Sequence, residues 1–554
     1  MIKLIGDKII LKKSSKLTIS SFFIVLLICL PIIIIFSQIF TQNSDIWIHL
    51  TNTVLKEYIF NTFYIMIGVG IITFILGFTT AYLTSLYNFS YSRFFNYALV
   101  LPFALPTYIV AFIYAGMFDM TGSITTFFLN IFNTNISNID FFDIMSIEGA
   151  IIVMSLVLYP YVYLTVKLYL SFESSAVINA SKSMGISSYK IFYKVILPIC
   201  RPAIIAGISL AIMEAISDFG VVDYYGVSTF VTGIFRTWFG MGSIQDACKL
   251  ASLLIIFIFL IIFLEKLQRR NIKYKSSGKD FIPIYKTKLK GYKNILAFII
   301  CIIPFFFGFI LPFMQMSYWF ILSYKDIIDD QFLYILLNTI FLASISAFII
   351  VILALLLTYN LKRKHTKTTN ILVQISKLGY SIPGAVIAIG VLVLFSYIDN
   401  ILIDSIKFLF NININLLLTG SIIAMIFGYI VRFISICINN YESTFSNIPS
   451  SYYNASKSMG INEKNTFKKV FSPLIKNTSY IAFLMIFIEV IKELPLSMIL
   501  RPFNYDTLAI RSYELTQQGQ IVESAVPSMF IVIFSMISII FLISKTKKAY
   551  DNGL

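Results

Sequence analysis

Residues 179–186 read N-A-S-K-S-M-G-I, and residues 454–461 repeat this octapeptide letter for letter, 275 positions later in a chain of 554. An octapeptide that contains polar residues and a glycine does not recur through composition alone. Each copy lies in a short polar segment between long apolar ones and is followed by an aromatic and basic stretch that ends at Pro198 or Pro473. The chain is therefore a tandem duplication.

The composition indicates a protein that spans a membrane several times. Hydrophobic residues make up 58% of the chain and charged residues 13%. The apolar segments run for about 18 residues or more, which is long enough to cross a hydrocarbon core of about 30 Å as a helix. A β-barrel would instead show apolar and polar residues in alternation. We therefore predict an all-α polytopic membrane protein.

We predict about twelve transmembrane helices in two parallel six-helix repeats. The first half covers residues 1–264, a basic linker covers 265–293, and the second half covers 294–554. The predicted spans lie at about 17–40, 58–87, 95–118, 146–170, 199–217 and 247–264, then at 294–322, 333–361, 371–397, 416–438, 475–491 and 525–544.

The basic residues predict how the chain is oriented in the lipid bilayer. Lysines and arginines concentrate at the N-terminus, in the linker and after the last span, and such loops lie in the cytoplasm. Both termini are then cytoplasmic. Because each half has an even number of spans, the halves insert in the same orientation and are related by an axis along the membrane normal. The net charge of +16 reflects these orientation signals rather than a nucleic-acid surface.

The sequence argues against an enzyme and against a cofactor of its own. The five cysteines are scattered in or beside apolar spans, and the two histidines, His49 and His365, fall in loops of different halves. Neither set has the spacing of a metal site or a catalytic centre. The phosphate-binding pattern G-x-x-x-x-G-K-[ST] does not occur, so this chain does not cradle ATP itself.

The repeated octapeptide predicts a helix, a tight glycine turn and a second helix in each half. In the first copy a short helix spans about 176–184, Gly185 ends it in a left-handed cap, and Ser187 or Ser188 begins a helix that runs to Leu197. In the second copy Gly460 and Asn462 take the equivalent roles. An ordinary amphipathic connector at the membrane surface is the alternative. The exact duplication favours a docking element.

These segments, at about 173–198 and 442–473, resemble the EAA loop of binding-protein-dependent ABC importer permeases. The resemblance implies two copies of a cytoplasmic ABC ATPase, which carry the ATP and Mg and receive the two loops, and a periplasmic substrate-binding protein. The consensus Glu and second Ala are replaced by Asn and Ser in both copies. The residues implied to dock the ATPase are Asn179, Ala180, Ser181, Gly185, Pro198, Asn454, Ala455, Ser456, Gly460 and Pro473.

Charged residues near the ends of the fifth span of each half predict a translocation pathway. The segments are E-A-I-S-D-F-G at 214–220 and E-V-I-K-E-L-P at 489–495. Such charges need a cavity, a partner charge or water, and the alternative is that they are solvated helix ends. We expect Gly220 and Pro495 to break the helices around a cavity. The candidate pathway residues are Asp218, Gly220, Glu489, Glu493, Pro495 and Arg501, and we expect Arg501 and Arg511 to pair with the acids.

The same segments are similar to those of iron(III) permeases with two fused halves, in which D-F-G and K-E-L-P…L-R-P-F-x-x-D-T-L-A recur. The resemblance implies a permease subunit in a bacterial inner membrane that imports iron(III) by alternating access. It does not imply a metal site in this chain. Related importers of thiamine or of an aminophosphonate share much of the pattern. An ion-coupled secondary transporter is the alternative from another class.

Overall fold

The computed structural model describes residues 16–132, 143–172, 175–269, 286–363, 366–411 and 415–551. These residues are almost entirely helical. A two-residue parallel pairing between β1 (Tyr87–Asn88) and β2 (Thr287–Lys288) is the only sheet among them. Part of the predicted linker, residues 270–285, lies outside the described residues.

The helices of the first half follow one another along the chain with short connections. They are α1 (Lys16–Ser37), α2 (Asp45–Asn52), α3 (Leu55–Leu86), α4 (Ser92–Ala98), α5 (Thr107–Phe118), α6 (Ser123–Phe132), α7 (Ile147–Phe172), α8 (Ser175–Ser183), α9 (Ser188–Ile191), α10 (Leu197–Ser217), α11 (Phe219–Tyr224), α12 (Phe230–Phe235) and α13 (Ile244–Arg269).

The second half is also built of consecutive helices. Its helices are α14 (Tyr292–Phe305), α15 (Leu311–Ile327), α16 (Asp330–Arg363), α17 (Lys367–Ser376), α18 (Gly384–Phe410), α19 (Ile422–Asn447), α20 (Ser450–Ser458), α21 (Glu463–Thr466), α22 (Ser472–Lys492), α23 (Pro495–Leu500), α24 (Leu508–Gln517) and α25 (Ile521–Asp551). Short 3₁₀ turns lie at Gln38–Phe40, Leu101–Ala104 and Leu378–Ser381, and π-helical turns at Phe192–Ile196, Arg236–Gly240, Phe306–Ile310 and Phe467–Phe471.

The described residues contain twelve helices that are long and apolar enough to cross a membrane, which confirms the predicted fold class. Two spans begin more than ten residues later than the sequence predicts. The third begins at Thr107 rather than at about 95, and the ninth at Gly384 rather than at about 371. In each case a proline, Pro106 or Pro383, caps the helix, and the residue before it is extended. The apolar residues upstream form separate short helices.

Among the described residues the chain forms two compact units. One unit comprises Met1–Gln42, Ile244–Ser252 and Asp330–Ile510. Inside it, α1 packs against α18, the Ser252 hydroxyl donates to the Ile35 carbonyl at 3.0 Å, and the Asn360 amide donates to the Ser21 hydroxyl at 3.0 Å. The first transmembrane helix therefore shares a core with helices of the second half.

The other unit comprises Asn43–Ser243, Leu253–Asp329 and Arg511–Leu554. Its centre is the packing of α3 against α7 and α10, with Tyr159 and Tyr163 of α7 fully buried. The predicted linker at 265–293 separates the two sequence repeats, not the two compact units. Its position stays a prediction.

Candidate functional site

We call residues 175–196 elbow 1. Helix α8 ends at Ser183, and the Ile186 amide then donates to the Ser181 carbonyl at 3.3 Å across the turn. Gly185 has φ +70°, the left-handed conformation that favours glycine. The chain then continues through α9 and a π-helical turn into α10. The first helix and the glycine turn are those the sequence predicts. The second helix does not end at Leu197 as predicted but continues without a break into the fifth span, which covers Tyr189–Ser217.

We call residues 450–471 elbow 2, and it has the same geometry. Gly460 has φ +69°, and the Ile461 amide donates to the Ser456 carbonyl at 3.1 Å. Asn462 caps the next helix, because its side-chain oxygen accepts from the Asn465 amide at 2.9 Å. The predicted cap at Asn462 is confirmed.

The predicted docking residues do not all face outward. Ala180, Ala455, Asn454, Pro198 and Pro473 are exposed, and Asn179 is half-buried. Ser181 and Ser456 are only 7% and 4% exposed. The Ser181 hydroxyl donates to the Val177 carbonyl at 2.8 Å, and the Ser456 hydroxyl bonds to the Thr466 hydroxyl at 2.7 Å. The Ser456 bond therefore joins α20 to α21 within elbow 2, whereas the Ser181 bond lies within α8.

An aromatic contact joins each elbow to the second transmembrane helix of its half. The rings of Tyr82 and Phe192 are 5.0 Å apart at an interplanar angle of 82°. The equivalent rings of Tyr359 and Phe467 are 4.9 Å apart at 71°. Such edge-to-face pairs contribute about 0.5–1.5 kcal/mol beyond their buried area. These ring contacts pack each elbow against the second transmembrane helix of its half.

The first predicted pathway segment contains a helix break at Asp218, between α10 and α11. Asp218 has φ −77° and ψ 111°, and one carboxylate oxygen accepts from the Val221 amide at 3.1 Å. The other accepts a hydrogen bond from the Thr107 hydroxyl at the start of α5. Gly220 lies inside α11, so the prediction that it breaks the helix is wrong. The Asp218 cap ends one helix and begins the next.

The second segment breaks at the equivalent residue, Glu493, between α22 and α23. Glu493 is buried, and its carboxylate accepts from Arg432 of α19 at 2.7 Å and from the Leu496 amide at 3.1 Å. Gly384 provides the space for this pair, since a Cβ there would lie 1.8 Å from the Arg432 guanidinium. Pro495 is the first residue of α23, as the prediction of a helix break requires.

The ion pairs of the remaining pathway residues differ from those that the sequence predicts. Arg501 forms an ion pair with Asp506, and Glu493 forms one with Arg432, whereas the sequence predicts that Arg501 pairs with the acids of the fifth span. Asp506 lies five residues beyond Arg501 in the same connection. Glu489 is half-buried on α22, one turn before the break.

Sequence reasoning missed the partners of both broken helices. Thr107 and Arg432 lie 111 and 61 residues from the acids that they contact, and neither belongs to a motif. The one available signal was Arg432 itself, a lone arginine in an apolar span, which needs a buried partner.

A further polar cluster that the sequence did not suggest joins α11 to α24. The Tyr513 hydroxyl donates to the Asp223 carboxylate at 2.5 Å, and the Gln517 amide donates to the Tyr513 oxygen at 2.9 Å. Burial, with the Asp223 carboxylate beside the phenol, raises the pKa of Tyr513. The phenol therefore stays protonated and can donate.

The described ranges contain no group of three or more His, Cys, Asp or Glu side chains that could hold a metal ion. The two predicted pathway acids instead stabilise breaks in helices. What the geometry offers is a pair of repeated elbows and a pair of repeated helix breaks, each elbow leading directly into a broken helix.

A family model described as the inner membrane component of binding-protein-dependent transport systems matches twice, over residues 73–273 and 350–552. Each match contains one elbow and one broken helix. The chain belongs to this family. It is a multi-pass inner-membrane permease subunit of an ABC transport system rather than an enzyme, and such a subunit works with an ATPase and a binding protein.

The permease is similar over nearly its whole length to two proteins of Haemophilus influenzae. It is 24% identical to the Fe(3+)-transport system permease protein FbpB 2, over 94% of this chain and 97% of the relative. It is 22% identical to the putative ferric transport system permease protein FbpB 1, over 92% of this chain and 80% of the relative. The Escherichia coli sulfate transport system permease protein CysT is 24% identical over 37% of this chain and 72% of its own length.

The Asp218 cap can be separated from the Asp218 charge by two substitutions. Asp218→Ala removes the cap and is expected to destabilise the permease by about 0.5–2 kcal/mol, whereas Asp218→Asn keeps an oxygen for the Val221 amide. Thermal unfolding of the purified permease measures the difference. Equal loss of stability in both variants would show that the negative charge, rather than the cap, holds this break.

Proposed function

We propose that this permease imports iron(III), which it receives from a periplasmic binding protein and releases to the cytoplasm. The observation that carries the proposal is the similarity to two permeases named for Fe(3+) or ferric transport, which extends across both halves of the chain. The similarity to sulfate permeases covers about a third of the chain, as the E. coli relative illustrates. Length of coverage therefore favours iron(III) over sulfate.

We infer that the elbows lie in the cytoplasm and that each receives one copy of the ATPase. The basic residues at both ends of the chain and in the linker support this orientation. The repeated octapeptide supports two equivalent docking positions. When ATP closes the ATPase pair, the elbows move and pull α3 and α16 through the aromatic contacts, and the proposed pathway then opens toward the periplasm.

The broken helices are where the proposed pathway would run. Asp218 and Glu493 hold the ends of short helices, so a movement of α10 or α22 acts directly on α11 or α23. Because both carboxylates already accept hydrogen bonds, selective binding of iron(III) is assigned to the separate binding protein. Carboxylates along the path favour a hard cation without tight binding.

Uptake into proteoliposomes that contain the permease, its ATPase and its binding protein tests this proposal. Labelled iron(III) should accumulate with ATP and should continue to accumulate after the proton gradient is collapsed. Thiamine, an aminophosphonate and sulfate, offered with the same complex, should not. Uptake that stops with the proton gradient while ATP remains would indicate an ion-coupled transporter, and preference for another solute would overturn the assignment of iron(III).

A further inference from the structure

The second transmembrane helix of each half carries the same pair of polar residues near its start. The pair is Asn61-Thr62 in α3 and Asn338-Thr339 in α16. Both threonines are buried, and each is only 3% exposed. A buried hydroxyl is stable only where it is hydrogen-bonded, so the partners of these threonines indicate what the repeated pair does.

We call the contact of Asn61 and Thr62 with residues 228–230 clamp 1. The Phe230 amide donates to the Thr62 hydroxyl oxygen at 3.3 Å, and the Asn61 side-chain amide donates to the Ser228 carbonyl at 2.9 Å. Phe230 is the first residue of α12, so its amide has no acceptor within that helix. Helix α3 therefore supplies the acceptor that α12 lacks.

We call the contact of Asn338 and Thr339 with residues 505–508 clamp 2. The amide of Leu508, the first residue of α24, donates to the Thr339 hydroxyl oxygen at 3.0 Å. The Tyr505 hydroxyl donates to the Asn338 carbonyl at 3.3 Å. The second bond differs between the halves, but the threonine accepts from the first amide of a helix in both.

Each clamp holds the segment that follows a broken helix. Clamp 1 comes after α11, which begins at the Asp218 break, and clamp 2 comes after α23, which begins at the Glu493 break. In the first half Thr62, Asp218 and Thr229 line one small pocket. The clamp and the break are therefore neighbours in space as well as in sequence.

The helices that carry the clamps also carry the ring contacts with the elbows. Thr62 and Tyr82 are 20 residues apart on α3, and Thr339 and Tyr359 are 20 residues apart on α16. At about 1.5 Å per residue this separation is about 30 Å. Both helices are continuous between these positions. Each therefore has an elbow contact near one end and a clamp near the other.

We propose that Thr62 and Thr339 transmit the movement of the elbows to the segments beyond the broken helices. This inference rests on the proposed docking of the ATPase on the elbows. A continuous helix that is displaced at one end carries its other end with it, and the bonded amides of Phe230 and Leu508 make α12 and α24 follow. The two threonines are thus positioning residues, which act on the pathway through α12 and α24 rather than on iron(III).

The double variant Thr62→Val with Thr339→Val removes both acceptors and tests the inference. Proteoliposomes that contain the permease, its ATPase and its binding protein allow uptake of labelled iron(III) and ATP hydrolysis to be measured in one sample. We expect ATP hydrolysis near the wild-type rate and about tenfold less iron(III) taken up per ATP. A tenfold change corresponds to about 1.4 kcal/mol, within the range for leaving a buried donor without its acceptor.

The chain supplies two matched controls. Thr62→Ser with Thr339→Ser keeps both hydroxyl oxygens and should keep the wild-type uptake per ATP. Thr73→Val with Thr358→Val removes buried hydroxyls from the same two helices, but these hydroxyls donate to carbonyls of their own helix, at 2.6 and 2.8 Å. This variant should also keep the wild-type ratio.

Single variants cover the case in which the double valine variant does not accumulate in the membrane. Thr62→Val retains clamp 2, and Thr339→Val retains clamp 1. Each should show a smaller loss of uptake per ATP than the double variant. Wild-type uptake per ATP in both single variants would overturn the inference.

The outcomes separate this inference from the function on which it rests. If the valine variants keep the wild-type uptake per ATP, the inference fails while the proposed import stands. If uptake and ATP hydrolysis fall in parallel, or if either control loses as much uptake per ATP as the double valine variant, the two hydroxyls do not transmit movement, and the inference also fails. If the wild-type permease binds no ATPase or takes up no iron(III), the proposed function itself is refuted, and the inference fails with it.

Discussion

A permease that carries both Gly185→Val and Gly460→Val is expected to insert into the membrane but to lose its ATPase. Both glycines have φ near +70°, and no atom lies within 4 Å of the position that a Cβ would take. The penalty is therefore conformational rather than steric, about 1–2 kcal/mol at each turn for a residue that avoids the left-handed region. A valine would open the turn and redirect the octapeptide.

Co-purification of the ATPase with the membrane-extracted permease measures this effect. The matched control is Gly185→Asn with Gly460→Asn, because asparagine tolerates the left-handed conformation and should retain the ATPase. Retention of the ATPase by the valine variant at the level of the asparagine control would rule out the elbows as the docking elements.

The Arg432→Ala variant is expected to be destabilised by about 3–5 kcal/mol, because it leaves the buried carboxylate of Glu493 without its cation. The pair is buried on both sides, with Nη1 of Arg432 at 2.7 Å from Oε1 of Glu493. Thermal unfolding of the purified permease should show the loss, together with reduced yield from the membrane.

A double variant controls for the loss of the ion pair itself. Arg432→Met with Glu493→Gln removes both charges, and replacing a buried pair by neutral groups costs far less than removing one partner. The double variant should thus be more stable than Arg432→Ala alone. Equal instability would mean that Arg432 acts through its packing around Gly384 rather than through the charge of Glu493.

Much of the fold could be predicted because the signals are long and repeated. Predicting the apolar spans requires only their length and composition. Predicting the elbows requires only a glycine at the right place between two short helical segments. The third and ninth spans were misplaced because Pro106 and Pro383 divide an apolar stretch into separate helices. Hydrophobicity alone does not reveal where a proline divides an apolar stretch into two helices.

The candidate site was less predictable because its contacts join distant parts of the chain. Asp218 could be recognised as an unusual charge at the end of a span, but its bond with Thr107 exists only once α5 and α10 pack together. Arg501 is close to Glu493 in the sequence, whereas Arg432, which forms an ion pair with Glu493, lies on another helix. Proximity along the chain is a poor guide where ion pairs form between helices.

The division of the chain into compact units has a consequence for its biogenesis. Helix α1 packs against α18, and these two helices are separated by more than three hundred residues. At a synthesis rate of about 5–20 residues per second, the ribosome needs roughly 20–70 s to deliver the second after the first. During that interval α1 lies in the membrane without α18. The early membrane intermediate must therefore be stabilised by the translocon, by a chaperone or by the lipid itself.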